Sequence, residues 1–245
     1  MKTYGLVGFP LSHSFSKTYF TEKFLKENIQ NCEYLNFELE KISFLPELLE
    51  SNQNIVGFNV TVPYKQSIIP YLHELDKTAE KIGAVNTVKI NKGKLIGYNT
   101  DEYGFRFSLK PFLEKKHRNA LILGNGGASR AVQYVLKDLG IEYTIAQRNP
   151  EKKEHLSFTE ITEKVIQYHL LIINTTPVGM YPNVNACIDL PYHCISKEHL
   201  LYDLIYNPAK TLFLKKAEQQ NASTINGLSM LQLQAEKAWN IWNNH

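Results

Sequence analysis

Short runs of apolar, mostly β-branched residues alternate along the chain with segments whose apolar residues recur every three or four positions. The runs predict β-strands, and the segments predict amphipathic helices. In the first half, strands are predicted at residues 4–7, 35–39 and 55–62, and helices at about 16–28 and 44–50. This alternation is typical of βα units that build parallel sheets.

The second half of the chain repeats the alternation more regularly. A hairpin at residues 87–98 and a helix near 102–112 lead into it. The elements predicted after them are strands at 120–123, 141–146, 170–173 and 201–204 and helices at 129–139, 211–219 and 230–242. The sequence therefore predicts an α/β fold with one unit up to about residue 101 and a second from about 102 to 226. The last helix could pack on either unit.

The composition is that of an ordinary globular protein, with 43% apolar and 21% charged residues among 245. The net charge of +3 is spread along the chain and gives no electrostatic reason to expect nucleic acid or a membrane surface as partner. Three scattered cysteines make no disulfide framework. The N-terminus indicates a strand rather than a signal peptide, and no apolar run approaches the roughly 20 residues of a membrane span. We expect a cytoplasmic protein.

A glycine-rich turn stands between the apolar strand at 120–123 and the following helix. Gly124 would permit a tight turn, Gly126 would let the backbone approach a pyrophosphate, and Ser129 takes the place of a third glycine. The helix N-terminus would offer N–H groups to the anion. This pattern predicts a dinucleotide site, although a close strand–helix crossing would also use such a turn.

The end of the next strand bears on the choice of cofactor. NAD-binding units carry an acidic residue there, which holds the ribose 2′-hydroxyl. This chain has Arg148 instead, followed by two lysines, and a guanidinium can pair with a 2′-phosphate. A solvated basic turn would look the same in isolation. Together with the glycine turn, the pattern favours NADP(H) over NAD.

Polar residues also stand where strands of the first half end. Lys65 follows the strand at 55–62, and Asp101 follows the hairpin. Because ligands collect at the carboxyl ends of strands, this pair could exchange a proton and stabilise a developing alkoxide. Each residue alone fits a surface position, but a polar pocket explains them better when four more are added: Ser14, Ser16, Thr61 and Asn86.

The histidines and serines do not indicate other chemistry. No two histidines have the spacing of a metal-binding pair, so no metal site is predicted. His13 precedes Ser14, but no G-x-S-x-G turn supports a nucleophilic serine.

Motifs along nearly the whole chain resemble those of the shikimate dehydrogenase family, in the family's order. They are GFPLSHSFS at 8–16, NVTVPYK at 59–65, GAVNT at 83–87, NTDEYG at 99–104, GNGGASR at 124–130, the basic turn at 148, NTTPVGM at 174–180, DLIYNPAKT at 203–211 and NGLSMLQLQ at 226–234. Any one of these could arise by chance, whereas the ordered set is specific.

The resemblance implies a role for each matching residue and a substrate, shikimate or 3-dehydroshikimate. Lys65 and Asp101 would be the catalytic pair. Ring hydroxyls would be held by Thr61, Asn86 and Gln234, and the carboxylate by Ser14, Ser16 and Tyr206. NADP(H) would be bound by Gly124, Asn125, Gly126, Gly127, Ala128, Ser129, Gln147, Arg148, Asn149, Thr175 and Gly227.

The resemblance also implies a domain organisation. A substrate domain would comprise residues 1–101 and 227–245, with the C-terminal helix returning to it, and a Rossmann-type NADP domain would comprise 102–226. A monomer and a homodimer both remain open.

The sequence departs from the family pattern at three places. Lys17 replaces a proline, Tyr19 and Phe20 replace His-Asn, and the segment at 147–149 replaces Asn-Arg-Thr, which removes a hydroxyl near the 2′-phosphate. Two alternatives stay open beside the main interpretation: a quinate/shikimate dehydrogenase with relaxed cofactor use, and a catalytically silent protein of the same fold that senses NADP or a metabolite.

Overall fold

A computed structural model describes residues 1–11, 15–150 and 152–243. The chain divides into two compact units. Unit 1 comprises Met1–Thr100 and Gln234–His245, and unit 2 comprises Asp101–Leu233. The architecture is mixed α/β in both units, as predicted. The predicted assignment of substrate and cofactor to separate domains, with limits at 101 and 227, remains a prediction.

Unit 1 is built on a six-stranded sheet of mixed direction in the order β2-β1-β3-β5-β6-β4. Its strands are β1 (Lys2–Gly8), β2 (Cys32–Glu38), β3 (Ile55–Val60), β4 (Glu74–Leu75), β5 (Thr87–Asn91) and β6 (Lys94–Tyr98). Strand β1 is parallel to β2 and β3, whereas β5 is antiparallel to both β3 and β6. Among the described residues, the helices that lie wholly within this unit are α1 (Phe15–Lys26), α2 (Leu45–Ser51) and α3 (Lys77–Ile82).

Unit 2 is built on a six-stranded parallel sheet in the order β12-β11-β10-β7-β8-β9. Its strands are β7 (Asn119–Leu123), β8 (Glu142–Gln147), β9 (Leu156–Ser157), β10 (Leu171–Asn174), β11 (Leu200–Asp203) and β12 (Ser223–Ile225). The helices that follow unit 1 in the chain are α4 (Asp101–Leu109), α5 (Gly127–Asp138), α6 (Glu163–Tyr168), α7 (Leu212–Glu218) and α8 (Leu228–Asn243). The order reverses between β7 and β10, and open α/β sheets bind ligands outside such a reversal.

The hydrophobic cores explain the sequence pattern. In unit 2, alternate residues of β7 enter cores on opposite faces of the sheet: Ile122 packs into one and Leu121 into the other. A strand covered on both faces is apolar at nearly every position, as β7 is. In unit 1, the part of α8 from residue 234 onward packs on one face of the sheet. Trp242 Nε1 donates to the Val88 carbonyl at 2.9 Å, which confirms that the C-terminal helix returns to this unit.

Several short elements were not predicted from the sequence: β4, α3, β9, α6 and β12. Helix α3 did have a local signal, because the Asp76 side chain caps its N-terminus and Gly83 ends it with φ of 68°. The predicted hairpin is confirmed, since β5 and β6 pair antiparallel, and it makes the sheet of unit 1 mixed rather than wholly parallel. In the described part of the chain, no helix has the length and apolar character needed to cross a bilayer.

Candidate active site

One edge of the unit 1 sheet collects most of the predicted polar residues. Asn59 pairs with Thr87, and Thr87 pairs with Tyr98, so the ends of β3 and β6 and the start of β5 share this edge. Thr61 follows β3 there, and Asn86 directly precedes β5. The parallel strand β1 ends at the same edge, because its Val7 pairs with Val60.

Asn86 lies at the centre of a buried set of hydrogen bonds on this edge. Its Oδ1 accepts from the Thr100 backbone N–H at 2.7 Å, and its Nδ2 donates to Thr100 Oγ1 at 3.0 Å. Asn86 Nδ2 also lies 3.4 Å from Gln234 Oε1 on α8, which brings two of the predicted substrate residues together. Buried polar groups retain partners of this kind because an unpaired one is costly.

Lys65 lies half-buried in the loop after β3. Its backbone carbonyl accepts from Val85 N–H at 2.7 Å, which ties the loop to the segment before Asn86. The neighbouring Tyr64, for which the sequence offered no explanation, is a core residue whose hydroxyl donates to the Leu39 carbonyl. The Tyr64 hydrogen bond fixes the loop and therefore the backbone position of Lys65.

The loop after β1 and the start of α1 carry the two predicted carboxylate-binding serines. Ser16 is the second residue of α1 and is buried. The Ser16 hydroxyl forms a hydrogen bond with the Tyr34 hydroxyl, which by itself would lower the pKa of Tyr34. Burial has the larger effect, and the pKa of Tyr34 is raised. Ser14 lies outside the residues that the structure describes.

The glycine turn of unit 2 lies between β7 and α5, beside the reversal point of the sheet. Gly124 has φ of +104°, and a Cβ there would lie 2.8 Å from both Thr175 Oγ1 and Thr176 Cγ2, so only glycine fits. A Cβ at Gly126 would meet no atom within 4 Å. Open space beside Gly126 and the first-turn N–H groups of α5, which begins at Gly127, suit a pyrophosphate.

Three side chains predicted to bind cofactor make hydrogen bonds within the protein at this turn. Ser129 is fully buried, and its hydroxyl donates to the Gly124 carbonyl at 3.0 Å. Thr175 Oγ1 donates to the Leu123 carbonyl at 2.8 Å. Asn125 Oδ1 accepts from Gln133 Nε2 at 3.3 Å. Any contact that Ser129 makes with a pyrophosphate would therefore involve its backbone N–H rather than its hydroxyl.

The basic turn follows β8, the strand next to β7. Arg148 and Asn149 are exposed, and Gln147 is half-buried with its Nε2 3.3 Å from His155 Nδ1. Because β7 and β8 are parallel neighbours, their carboxyl ends place the basic turn on the same side of the sheet as the glycine turn. The two predicted parts of a dinucleotide site thus share one edge of unit 2.

Three further predicted residues also belong to unit 2. Asp101 is the buried first residue of α4, and its pairing with Lys65 of unit 1 remains a prediction. Tyr206 follows β11, and burial raises the pKa of its hydroxyl. A Cβ at Gly227 would lie 2.0 Å from the Leu204 carbonyl oxygen, so its backbone approach requires glycine.

Asp203 is the last residue of β11 and lies three positions before Tyr206. No role was assigned to it from the sequence. Its carboxylate is buried and accepts from Thr211 Oγ1 at 2.6 Å, Asn174 Nδ2 at 3.0 Å and the Ile205 N–H at 3.1 Å. Burial nevertheless raises its pKa from 3.8 to about 6. Asp203 fixes the loops that follow β10 and β11.

One group of side chains outside these edges has donor atoms suited to a metal ion. The ligand atoms of Glu163, His193 and Cys194 lie within 4.8 Å of one another. Glu163 and His193 are exposed, and a hydrogen bond of 2.9 Å between Glu163 Oε1 and His193 Nε2 explains their proximity without a metal. The prediction of no metal site remains a prediction.

Comparison with known proteins decides the family. The sequence profile of the shikimate dehydrogenase substrate binding domain matches residues 6–88. A shikimate dehydrogenase (NADP(+)) of Methanococcus maripaludis is 42% identical over 98% of this chain and 91% of its own length. The chain belongs to the shikimate dehydrogenase family.

Solved structures of the family have the same fold. A crystal structure of shikimate dehydrogenase in complex with NADP+ superposes with a TM-score of 0.89 at 37% identity, covering 100% of this chain and 91% of that one. The enzyme of Aquifex aeolicus gives a TM-score of 0.88 at 38% identity, covering 100% and 93%. The predicted family and fold class are therefore confirmed.

The shikimate dehydrogenase motifs left unassigned several residues that the structure places beside Asn86. Asn59 and Thr87 fall inside motifs but had no proposed role, and Tyr34 falls outside all of them. All three are buried: Tyr34 is hydrogen-bonded to Asn59, and Asn59 to Thr87. A polar residue at an inward position of a strand was the only signal that could have revealed Tyr34.

Proposed function

We propose that this chain catalyses the reversible, NADPH-dependent reduction of 3-dehydroshikimate to shikimate, a step towards chorismate and the aromatic amino acids. The observation that carries the proposal is the edge of unit 1, where Thr61, Asn86 and Gln234 collect beside the loop that carries Lys65. Amide and hydroxyl groups of this kind suit a ring that bears several hydroxyls. Family membership at 42% identity supports the same reaction.

The roles proposed for the chain's residues follow the chemistry of carbonyl reduction. Bound NADPH supplies the hydride that adds to C3 of the substrate. Lys65 stabilises the carbonyl oxygen as negative charge develops on it and supplies the proton that makes it a hydroxyl. Asp101 accepts or returns a proton in exchange with Lys65, which allows the reaction to run in both directions.

The remaining residues bind and orient the two ligands. Thr61, Asn86 and Gln234 hold the ring hydroxyls, while Ser14, Ser16 and Tyr206 hold the carboxylate. The backbone from Gly124 to Ser129 holds the pyrophosphate at the start of α5, because its N–H groups and the helix dipole favour an anion. Arg148 pairs with the 2′-phosphate, and Gln147, Asn149, Thr175 and Gly227 complete the cofactor site.

Steady-state assays with shikimate and NADP+, followed at the absorbance band of reduced nicotinamide, test the proposal. We expect turnover with this pair and a much lower kcat/KM when NAD+ replaces NADP+ or quinate replaces shikimate. Comparable values with quinate and NAD+ would identify the broader quinate/shikimate dehydrogenase instead. Binding of NADP+ without turnover of either acid would leave the sensing protein as the correct interpretation.

A further inference from the structure

Polar side chains on the site edge of unit 1 form a chain of hydrogen bonds that leads to Gln234. The Tyr34 hydroxyl on β2 donates to Asn59 Oδ1 at 2.8 Å. Asn59 Nδ2 donates to Thr87 Oγ1 at 3.0 Å, and Thr87 Oγ1 donates to Asn86 Oδ1 at 3.2 Å. Asn86 Nδ2 then donates to Gln234 Oε1 at 3.4 Å.

Backbone groups fix the direction of this chain. The Thr100 N–H can only donate, and it lies 2.7 Å from Asn86 Oδ1, so that oxygen is the acceptor and Nδ2 is the donor. The Asn86 carbonyl can only accept, and it lies 3.3 Å from Asn59 Nδ2. Asn59 therefore turns its oxygen towards Tyr34. An amide orientation set by such neighbours is determined by the network rather than free to flip.

The direction decides which atoms reach a ligand. Gln234 Oε1 accepts within the network, from Asn86 Nδ2 and from Thr100 Oγ1 at 3.3 Å. The other end of the Gln234 amide is a nitrogen, which donates. Both N–H groups of Asn86 Nδ2 donate within the network, to Thr100 Oγ1 and Gln234 Oε1, so a hydroxyl-bearing ring at this edge would meet the nitrogen end of the Gln234 amide. Reversal of the Gln234 amide would present its oxygen to the ring instead.

We propose that Tyr34 is a positioning residue for substrate binding. Its hydroxyl donates to Asn59 Oδ1 and so reinforces the amide orientation that the backbone groups favour, and through Asn59 and Thr87 it holds Asn86 and Gln234 in place for the ring hydroxyls. Tyr34 is buried, with 3% of its surface exposed, and acts without touching the substrate. This proposal rests on the proposed function, because it assigns Asn86 and Gln234 to shikimate.

The substitution Tyr34→Phe tests the first link. It retains the aromatic ring, which stacks on Phe20 with centroids 4.7 Å apart, and removes only the hydroxyl. Loss of the hydrogen bond to the buried Asn59 amide is expected to raise KM for shikimate on the order of tenfold. The Tyr34 hydroxyl also interacts with Ser16, and variants of Thr87, which lies on the Asn59 side, separate the two effects. KM for NADP+ is expected to stay unchanged, since the affected residues lie in unit 1.

Tyr202→Phe is the matched control. Tyr202 is also fully buried, and its hydroxyl has a partner, Ser108 Oγ at 2.7 Å, in unit 2. We expect this variant to lose similar thermal stability and to keep the wild-type KM for shikimate. An equal rise of KM in both variants would mean that Tyr34 is merely structural and would overturn the proposal.

A second pair of variants tests the hydrogen bonds that Thr87 makes between Asn59 and Asn86. This test holds whether or not Tyr34→Phe folds. Thr87→Val removes the hydroxyl between Asn59 and Asn86, whereas Thr87→Ser keeps it. We expect the valine variant to show the raised KM for shikimate and the serine variant to restore it. A wild-type KM in Thr87→Val, in an enzyme that turns over shikimate, would overturn the positioning role alone. An inactive wild-type enzyme would instead refute the proposed function.

Discussion

Lys65 is the single residue on which the proposed chemistry depends most. It lies half-buried in the loop after β3, which Tyr64 anchors in the core. Removal of a general acid that also stabilises the developing alkoxide lowers turnover by about 10² to 10⁴. We therefore expect Lys65→Met to lower kcat by that factor, measured in the shikimate and NADP+ assay.

Cofactor binding separates this effect from misfolding. Lys65→Met is expected to bind NADPH with wild-type affinity in a fluorescence titration. The exposed Lys81 on α3 is a suitable control, because Lys81→Met removes a charge from the same unit without touching the site edge. Near-normal turnover in Lys65→Met would show that another group supplies the proton.

Asp203 makes stability depend on pH in an identifiable direction. Burial raises its pKa from 3.8 to about 6, so the folded state holds this proton more tightly than the unfolded state. The stability that this group contributes is present below about pH 4 and is lost as pH rises through about 6. The shift corresponds to about 3 kcal/mol at most.

Asp203→Asn removes this titration and tests its sign. The variant is expected to be less stable than wild type at low pH, because an asparagine cannot accept from all three donors around it. As pH rises from about 4 to 7, the wild type loses the stability that the protonated Asp203 contributes, whereas the variant does not. The unfolding free energy of the variant should therefore rise relative to that of the wild type. Urea unfolding at several pH values measures the shift, and a difference that stays constant with pH would contradict it.

At the scale of elements, the longest helices and the buried strands were predictable, and the shortest elements were not. Strand β7 has a strong apolar pattern because nearly all of it is buried, and helix α5 has a strong periodic pattern because one face of it is buried. Helix α3 buries only Ala79 and Ile82, so its periodic signal is weak. Capping and tertiary contacts decide whether so short a helix forms.

The cap of α3 gives a prediction at this scale. Asp76 accepts from the N–H groups of Ala79 at 2.8 Å and Thr78 at 3.2 Å. We expect Asp76→Ala to reduce the free energy of unfolding by about 1 kcal/mol, because those N–H groups lose their acceptor. Asp76→Asn retains an acceptor and should lose much less. Urea unfolding compares the two, and an equal loss would show that the cap does not contribute.

Short elements also determine the site edge of unit 1. Strand β5 of the hairpin runs antiparallel to β3, so Asn86 arrives at the start of a strand rather than at its end. The rule that ligands collect at the carboxyl ends of parallel strands is the reason to expect Thr61 and Lys65, which follow β3, at this edge. It did not explain Asn86, whose place follows from the reversal of the hairpin.

For the whole molecule, cofactor binding should stabilise the fold by an amount that depends on Arg148. A ligand that binds only the native state at about 100 times its Kd adds about 2.7 kcal/mol to the unfolding free energy. We expect NADP+ to raise the thermal midpoint of the wild-type protein and to raise that of Arg148→Ala much less at the same concentration. The smaller shift produced by NAD+ should be the same for both proteins, because it lacks the 2′-phosphate.

Arg118→Ala provides the control for this experiment. Arg118 is exposed and precedes β7, at the opposite end of the sheet from the basic turn after β8. Its loss should leave the shift caused by NADP+ unchanged. A wild-type shift in Arg148→Ala would mean that another group recognises the 2′-phosphate.

The sequence by itself determined the class of fold, the glycine and basic turns and the ordered motifs that indicate the family. These features are local, because strand and helix periodicity and turn chemistry are written in neighbouring residues. The tertiary structure alone decided that Tyr34, Asn59 and Thr87 support Asn86, and that α8 brings Gln234 to it. Asn86 and Gln234 are 148 positions apart, and only the packing of α8 on the sheet brings their amides to 3.4 Å. A hydrogen bond requires an exact distance and direction between two groups, and residue types in a linear order do not specify these.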